Sequence, residues 1–194
     1  MAQALAQLSG EQPIDIAVAN AGAVEAGSFL RSPAERFRRM TEINLIGTVN
    51  LFHGALPGMV ERGHGRLIAI GSTAGHRGYA HVSAYVAAKH AVIGRIRDEL
   101  LSLQTPVGGS LTSGVTVNAV SPGYADTDMV AGGLDAIVAK TGVTREQALA
   151  GMVKDNPQGR LIAPEEVAQA VLYLCGPASG AVTGQSLMIN GGEF

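Results

Sequence analysis

The sequence predicts an α/β fold in which helices flank a parallel sheet. Short apolar segments rich in β-branched residues alternate with helix-compatible stretches, and Gly or Pro closes most of them. This alternation is typical of parallel strands joined by right-handed crossovers. An aromatic share of only 4% and the lack of Trp also favour packing by small aliphatic side chains.

Four segments are predicted strands, because each is a short buried-type run that ends at a turn signal. They are 14–19, 66–70, 115–120 and 186–189. The helices are predicted over three stretches. The first runs from Ser32-Pro33 to about residue 61, with Ser32 as N-cap, and the others cover 83–103 and 165–174. In the last, Val167, Val171 and Leu174 share one face.

Length and composition exclude several classes of protein. A chain of 194 residues that is 46% hydrophobic predicts a single domain over 1–194. The net charge of −2, without runs of like charges, does not indicate binding to nucleic acid or to an anionic membrane. No window reaches the roughly 18 apolar residues of a membrane span. The single cysteine, Cys175, favours a reducing cytoplasm.

Tyr85 and Lys89 form the strongest chemical signal, since residues four apart lie above one another on a helix. A nearby ammonium favours phenolate, so Lys89 is expected to lower the pKa of Tyr85 and equip it for proton transfer. Ser72 follows a predicted strand, where a hydroxyl can polarise the same substrate oxygen. By itself the Tyr-Lys pair would more often be a solvated helix pair; the register with Ser72 changes that weighting.

In order and spacing, these residues resemble the classical short-chain dehydrogenase/reductase family, closest to its 3-oxoacyl-(acyl-carrier-protein) reductase and 3-hydroxyacyl dehydrogenase type. The resemblance implies a catalytic tetrad of Asn44, Ser72, Tyr85 and Lys89. It also implies NAD or NADP as cofactor, a small ketone or secondary alcohol as substrate, and a homodimer or homotetramer built through helices matching 33–61 and 83–103.

The same resemblance assigns cofactor-binding residues. Lys89 and Tyr85 would lie at the nicotinamide ribose, and motifs that end two strands would contact other parts of the cofactor. These further residues are Asn20, Ala21, Gly22, Pro122, Gly123, Ala125 and Thr127.

The chain departs from the family at its start, because it carries no glycine-rich phosphate-binding turn after a first strand. The resemblance therefore implies a truncated Rossmann-type fold, with strands equivalent to 4–7 of the family. Three explanations stay open: a longer natural protein, an exposed edge covered by another copy or by the first residues, or a stable remnant. The remnant is the alternative function, a cofactor-deficient protein with a non-catalytic or oligomerising role.

Two further segments are predicted loops or covers. Residues 106–114 are rich in Gly and Ser and are expected to form a surface loop before the third strand. Residues 127–160 contain several glycines and are expected to form short helices in a mobile cover over a cleft. The five histidines lack metal-ligand spacing, so no metal site is predicted.

Overall fold

The sheet lies at the centre of the molecule and contains four parallel strands. The computed structural model describes residues 12–104 and 114–194, with the side chains of 97–104 left out. The strand order is β1-β2-β3-β4, so each strand pairs with the next along the chain. The strands are β1 (Ile16–Ala19), β2 (Gly65–Ile70), β3 (Val115–Pro122) and β4 (Ser186–Ile189). The α/β class and the four predicted strands are confirmed.

Helices connect the strands and cover the sheet. They are α1 (Ala34–Thr41), α2 (Gly47–Arg62), α3 (Ser83–Gln104), α4 (Asp128–Thr141), α5 (Arg145–Val153) and α6 (Pro164–Cys175). A five-residue π segment, Glu42–Ile46, joins α1 to α2 without a break. Short helices α4 and α5 occupy the predicted cover, whereas the predicted loop at 106–114 lies, apart from Gly114, outside the described residues.

One face of the sheet is packed much more fully than the other. Helices α2 and α3 bury side chains such as Phe52 and Ile96 against β1, β2 and β3. On the opposite face α6 brings Leu174 onto Ile68 and Val120, with Val167 and Val171 beside them. The face of α6 predicted from helical spacing is thus the face that packs.

Strand β1 has an open side, because the described residues place no strand beyond it and no helix over one face. Its side chains alternate between exposed and buried. Ile16 is 46% exposed and Val18 is 36% exposed, while Ala17 and Ala19 are buried. An apolar strand edge and face in this state is open to pairing with another chain segment.

The first helix begins one residue later than predicted. Pro33 rather than Ser32 is the N-cap, and no side chain caps the helix. The Ser32 hydroxyl instead donates to the Ser28 carbonyl and accepts from Arg36. The continuous run Ala34–Arg62 is also long and apolar enough to span a membrane by length and composition, which the sequence reading did not anticipate. Met40, Phe52 and Met59 of this run are fully buried, and 28% of its apolar window is buried.

Candidate active site

Ser72 lies at the carboxyl end of β2, where the chain leaves the sheet and makes a short 3-10 turn over Thr73–Gly75. The Ser72 hydroxyl accepts a hydrogen bond from the Ala74 backbone N–H at 3.1 Å. A side chain cannot be added at Gly75 without displacement, because its Cβ would lie 2.8 Å from the Lys89 carbonyl oxygen. The turn that carries Ser72 is therefore pressed directly against helix α3.

Tyr85 and Lys89 lie one turn apart at the start of α3, as predicted. Lys89 is buried, and its ammonium donates to the Ile70 carbonyl at 2.8 Å. The Lys89 Nζ lies 5.7 Å from the centre of the Tyr85 ring. Tyr85 also shares a hydrogen bond with Ser72. The structure thus brings the phenol, the hydroxyl and the amine to one end of the sheet.

The pKa of Tyr85 does not follow the sequence prediction. Burial raises it above the ordinary value, the hydrogen bond with Ser72 works in the opposite direction, and the Tyr124 phenol raises it further. The expectation that Lys89 lowers this pKa is wrong for this structure. The physical reason lies with Lys89 itself, whose ammonium is turned towards Ile70 and whose own pKa is lowered to about 8 by burial.

Asn44 lies in the π segment and is almost fully buried. Its amide donates to the carbonyls of Ala23 and Met40, both at 2.9 Å, and its Oδ1 accepts from the Ala23 N–H at 3.3 Å. These bonds tie the helix to the segment that follows β1. A Cβ on Gly22 would lie 2.9 Å from Asn44 Oδ1 and 3.7 Å from Lys89 Nζ. Gly22 therefore borders both Asn44 and Lys89.

The remaining predicted cofactor residues fall into two environments. Asn20, Ala21 and Gly22 are exposed at the end of β1. Around Pro122–Thr127 the chain turns out of β3, and the Thr127 hydroxyl donates to the Ala125 carbonyl at 3.4 Å. Gly123 N–H donates to Ile189 at the end of β4. Both motifs lie at the carboxyl ends of parallel strands, the edge at which such sheets bind ligands.

Sequence reasoning missed an aromatic and charged network beside this site. Tyr124 packs edge-to-face on Tyr79 with ring centres 6.1 Å apart. The Tyr79 hydroxyl donates to Glu193 at 2.7 Å, and Arg77 pairs with the same carboxylate. No local pattern could have revealed it, because Tyr79 and Glu193 are 114 residues apart in the chain.

Comparison with known proteins defines the class. A family model described as enoyl-(acyl carrier protein) reductase matches residues 1–193. The 3-oxoacyl-(acyl-carrier-protein) reductase of Vibrio cholerae is 34% identical over 181 residues, which are 93% of this chain and 67% of that protein. The D-beta-hydroxybutyrate dehydrogenase of Rhizobium meliloti is 35% identical over 179 residues, 92% of this chain and 67% of the relative.

Solved structures agree with the sequence comparisons. A variant actinorhodin polyketide ketoreductase with NADPH superposes with a TM-score of 0.88 at 34% identity, covering 99% of this chain and 72% of that one. The chain belongs to the short-chain dehydrogenase/reductase family, the NAD(P)-dependent oxidoreductases of the alcohol–ketone pair. It spans about two thirds of the length of the curated relatives named above.

The cofactor of this family is NAD or NADP, and the described residues fit one half of it. Lys89 is a buried cation at the strand ends that could donate to the ribose hydroxyls. Gly22 approaches the Asn44 and Lys89 side chains closely, since a Cβ there would lie 2.9 Å from Asn44 Oδ1. The sequence offers no glycine-rich turn for the pyrophosphate.

Proposed function

We propose that this protein reduces a small ketone, or oxidises the matching secondary alcohol, at the site formed by Ser72, Tyr85, Lys89 and Asn44. The observation that carries the proposal is the meeting of the Tyr85 phenol and the Ser72 hydroxyl beside the buried Lys89 ammonium. When bound, the nicotinamide supplies or accepts the hydride at the carbonyl carbon.

The side chains then have separate tasks in moving the proton. Tyr85 gives a proton to the ketone oxygen during reduction and takes one from the alcohol during oxidation. Ser72 hydrogen-bonds the same oxygen and polarises the carbonyl. The raised pKa of Tyr85 keeps the phenol protonated at neutral pH, which suits the direction of reduction.

Lys89 and Asn44 assist this proton transfer without contacting the ketone oxygen. The Lys89 ammonium has a pKa of about 8, so it exchanges a proton near neutrality and can replace the one that Tyr85 gives away. Lys89 would also donate to the ribose hydroxyls. Asn44 fixes the wall of this pocket through its bonds to Ala23 and Met40 and would hold a water that relays protons to Lys89.

The substrate class is a 3-oxoacyl thioester or another small ketone. Support comes from the relatives, which are named as a 3-oxoacyl-(acyl-carrier-protein) reductase, a hydroxybutyrate dehydrogenase and a polyketide ketoreductase. Asn20, Ala21, Gly22, Pro122, Gly123, Ala125 and Thr127 are proposed to contact the cofactor. A cytoplasmic location and a homodimer or homotetramer through α1–α2 and α3 complete the proposal.

The proposal is tested by mixing the purified chain with NADPH and acetoacetyl-CoA and following loss of the reduced-nicotinamide absorbance. Turnover above a blank without protein, abolished in Tyr85→Phe, is the expected result. A folded chain that binds NADPH without any turnover would overturn it.

The second candidate is a remnant that assembles without catalysis, and the exposed edge of β1 favours it. It predicts that the fluorescence of NADPH and of NADH does not change when the chain is added. Sedimentation should still show an oligomer. The intact arrangement of Ser72, Tyr85 and Lys89 supports the enzyme, since a scaffold does not require these three side chains in register.

A further inference from the structure

A buried carboxylate lies beside Arg77 and Tyr79 and has no part in the proton transfer described above. This is Glu193, three residues beyond Asn190, and its side chain is only 6% exposed. A carboxylate removed from water must find compensating partners, because the cost of burying an unpaired charge is several kcal/mol. The partners of Glu193 show what it holds.

The first partners come from the turn that follows Ser72. Arg77 pairs with the Glu193 carboxylate and lies 3.5 Å from Asp155 in the cover. Its guanidinium also stacks over two aromatic rings, 4.9 Å from the centre of Tyr79 and 4.7 Å from that of Phe194. Arg77 therefore joins Glu193 to the turn that follows Ser72 and to Asp155 in the cover.

The second partner connects Glu193 to the end of β3. The Tyr79 hydroxyl donates to Glu193, and the Tyr79 ring packs edge-to-face on Tyr124. Tyr124 follows Gly123 in the strand-end motif that is proposed to contact the cofactor. The contacts thus run from Glu193 through Tyr79 to Tyr124 at the end of β3.

The backbone around Glu193 leaves little freedom for other arrangements. A Cβ on Gly123, next to Tyr124, would lie 3.3 Å from Glu193 Oε2 and 3.3 Å from Asn190 Cα. Gly191 adopts a positive φ of 65°, and a Cβ there would lie 2.3 Å from Asn156 Oδ1. The segment that carries Glu193 is thus packed against both Gly123 at the end of β3 and Asn156 in the cover.

We infer that Glu193 is a positioning residue of the active site. Through Arg77 and Tyr79 it fixes the aromatic wall formed by Tyr79 and Tyr124, between the turn that follows Ser72 and the motif that ends β3. Rings held on one side of the reacting carbonyl leave space for a narrow ketone and exclude a bulky one. This inference rests on the proposed function for its effect on catalysis, but its structural part stands without it.

The charges around the wall agree with this geometry. Burial raises the pKa of Tyr79 to about 12, a hydrogen bond with Thr73 opposes the rise, and the bond to Glu193 adds to it. Burial also raises the pKa of Tyr124, with Glu193 and Asp155 raising it and Arg77 lowering it. Both phenols therefore stay protonated and can donate hydrogen bonds in the neutral range.

The test uses the whole chain labelled with ¹³C at tyrosine Cζ, since the sequence has only four tyrosines to assign by Tyr→Phe variants. In Glu193→Gln and Glu193→Ala, the resonances of Tyr79, Tyr124 and Tyr85 are expected to move. The matched control is Glu166→Gln, which disturbs an exposed carboxylate–arginine pair with Arg160 and should leave those three in place.

A second measurement follows turnover of acetoacetyl-CoA and a bulky aryl ketone with NADPH. Misplacement near the reacting atoms costs up to about a hundredfold in rate. We expect kcat on acetoacetyl-CoA to fall at least about tenfold in Glu193→Gln, with KM for NADPH unchanged and the aryl ketone relatively favoured. Thermal unfolding shows which variants fold, and the milder Glu193→Gln keeps the side-chain shape if Glu193→Ala does not fold.

The outcomes separate the two proposals. Folded Glu193 variants in which the Tyr124 and Tyr85 resonances stay fixed would overturn the positioning role, whatever the activity. A wild-type chain without turnover would count against the proposed function alone, because the resonances report on the wall with no cofactor present.

Discussion

Strands β1 and β2 are neighbours in one sheet, yet their surroundings differ sharply. β2 is buried along most of its length, and Ser72, two residues beyond its end, hydrogen-bonds Tyr85 near the buried Lys89. β1 exposes Ile16 and Val18 and is followed by the exposed residues Asn20–Gly22. The carboxyl end of β2, the closed end of the sheet, holds Ser72, Tyr85 and Lys89, the groups proposed for proton transfer. The outer side of β1 is the open side, which nothing in the described part of the chain covers. The difference shows that the groups proposed for proton transfer gather where the described residues cover the sheet most fully.

The largest effect is expected at the closed end, from Tyr85→Phe. Removal of the phenol hydroxyl removes the proton donor, and general acid catalysis contributes about 10²–10⁴ in rate. Turnover of acetoacetyl-CoA measures the loss. Tyr173→Phe, on the exposed part of α6, is the control and should retain wild-type turnover. Equal turnover in wild type and Tyr85→Phe would contradict the assignment.

An Ile→Ala substitution should lower the free energy of unfolding by several kcal/mol more in β2 than in β1. Ile68→Ala leaves a cavity in a packed region and should lower the free energy of unfolding by about 2–5 kcal/mol. Ile16→Ala removes an exposed side chain from β1 and should change it by less than about 0.5 kcal/mol. Urea unfolding measures both. Similar losses for the two variants would mean that β1 is covered in solution.

Lys89 gives a pH-dependent test of burial. Its ordinary pKa is 10.5 and its folded value is about 8, so the unfolded chain binds more protons between these values. Stability of the wild type therefore rises with pH across that window, by about 3 kcal/mol, and is lowest below pH 8.

The measurement is urea unfolding of wild type and Lys89→Met at pH 7 and at about pH 10. The stability advantage of the Met variant should be larger at pH 7 and should shrink at the higher pH. The exposed Lys140→Met is the control, with no such narrowing. A gap that widens with rising pH would show that Lys89 is not buried as a cation.

The smallest expected effect is at the open side. A lysine on an edge strand discourages pairing with other chains, so Ile16→Lys should reduce association beyond the proposed helix-mediated dimer or tetramer, without loss of secondary structure. Sedimentation velocity over a range of concentrations measures it. Self-association that persists unchanged would place the interface on α1–α2 and α3, as the family resemblance implies.

Much of the fold follows from local sequence, but the site does so only in part. Apolar runs such as Leu67-Ile68-Ala69-Ile70 have few alternatives to a buried strand, and the four-residue spacing of Tyr85 and Lys89 fixes their shared helix face. The π segment around Asn44 has no periodic signal of its own. It depends on the bonds that Asn44 makes to Ala23, which is distant in sequence.

Electrostatic details were even less accessible. Spacing indicated that Lys89 would act on the Tyr85 pKa, but the direction depends on burial and on where the ammonium points. Likewise His81 has a positive φ of 66°, and its carbonyl accepts a hydrogen bond from the Gly27 N–H, which is distant in sequence. Glu193 meets Tyr79 only because β4 ends beside β3, which no pattern within either segment specifies.

The part of the site that is proposed to bind the nicotinamide should form at the closed end of the sheet, whether or not the chain binds the phosphate groups of the cofactor. Titration of the chain with reduced nicotinamide mononucleotide and with NADPH tests it directly. We expect saturable binding of both, with Kd values within about tenfold, a difference of about 1.4 kcal/mol, and loss of both in Lys89→Met. Binding of NADPH alone, or binding that Lys89→Met leaves unchanged, would contradict it.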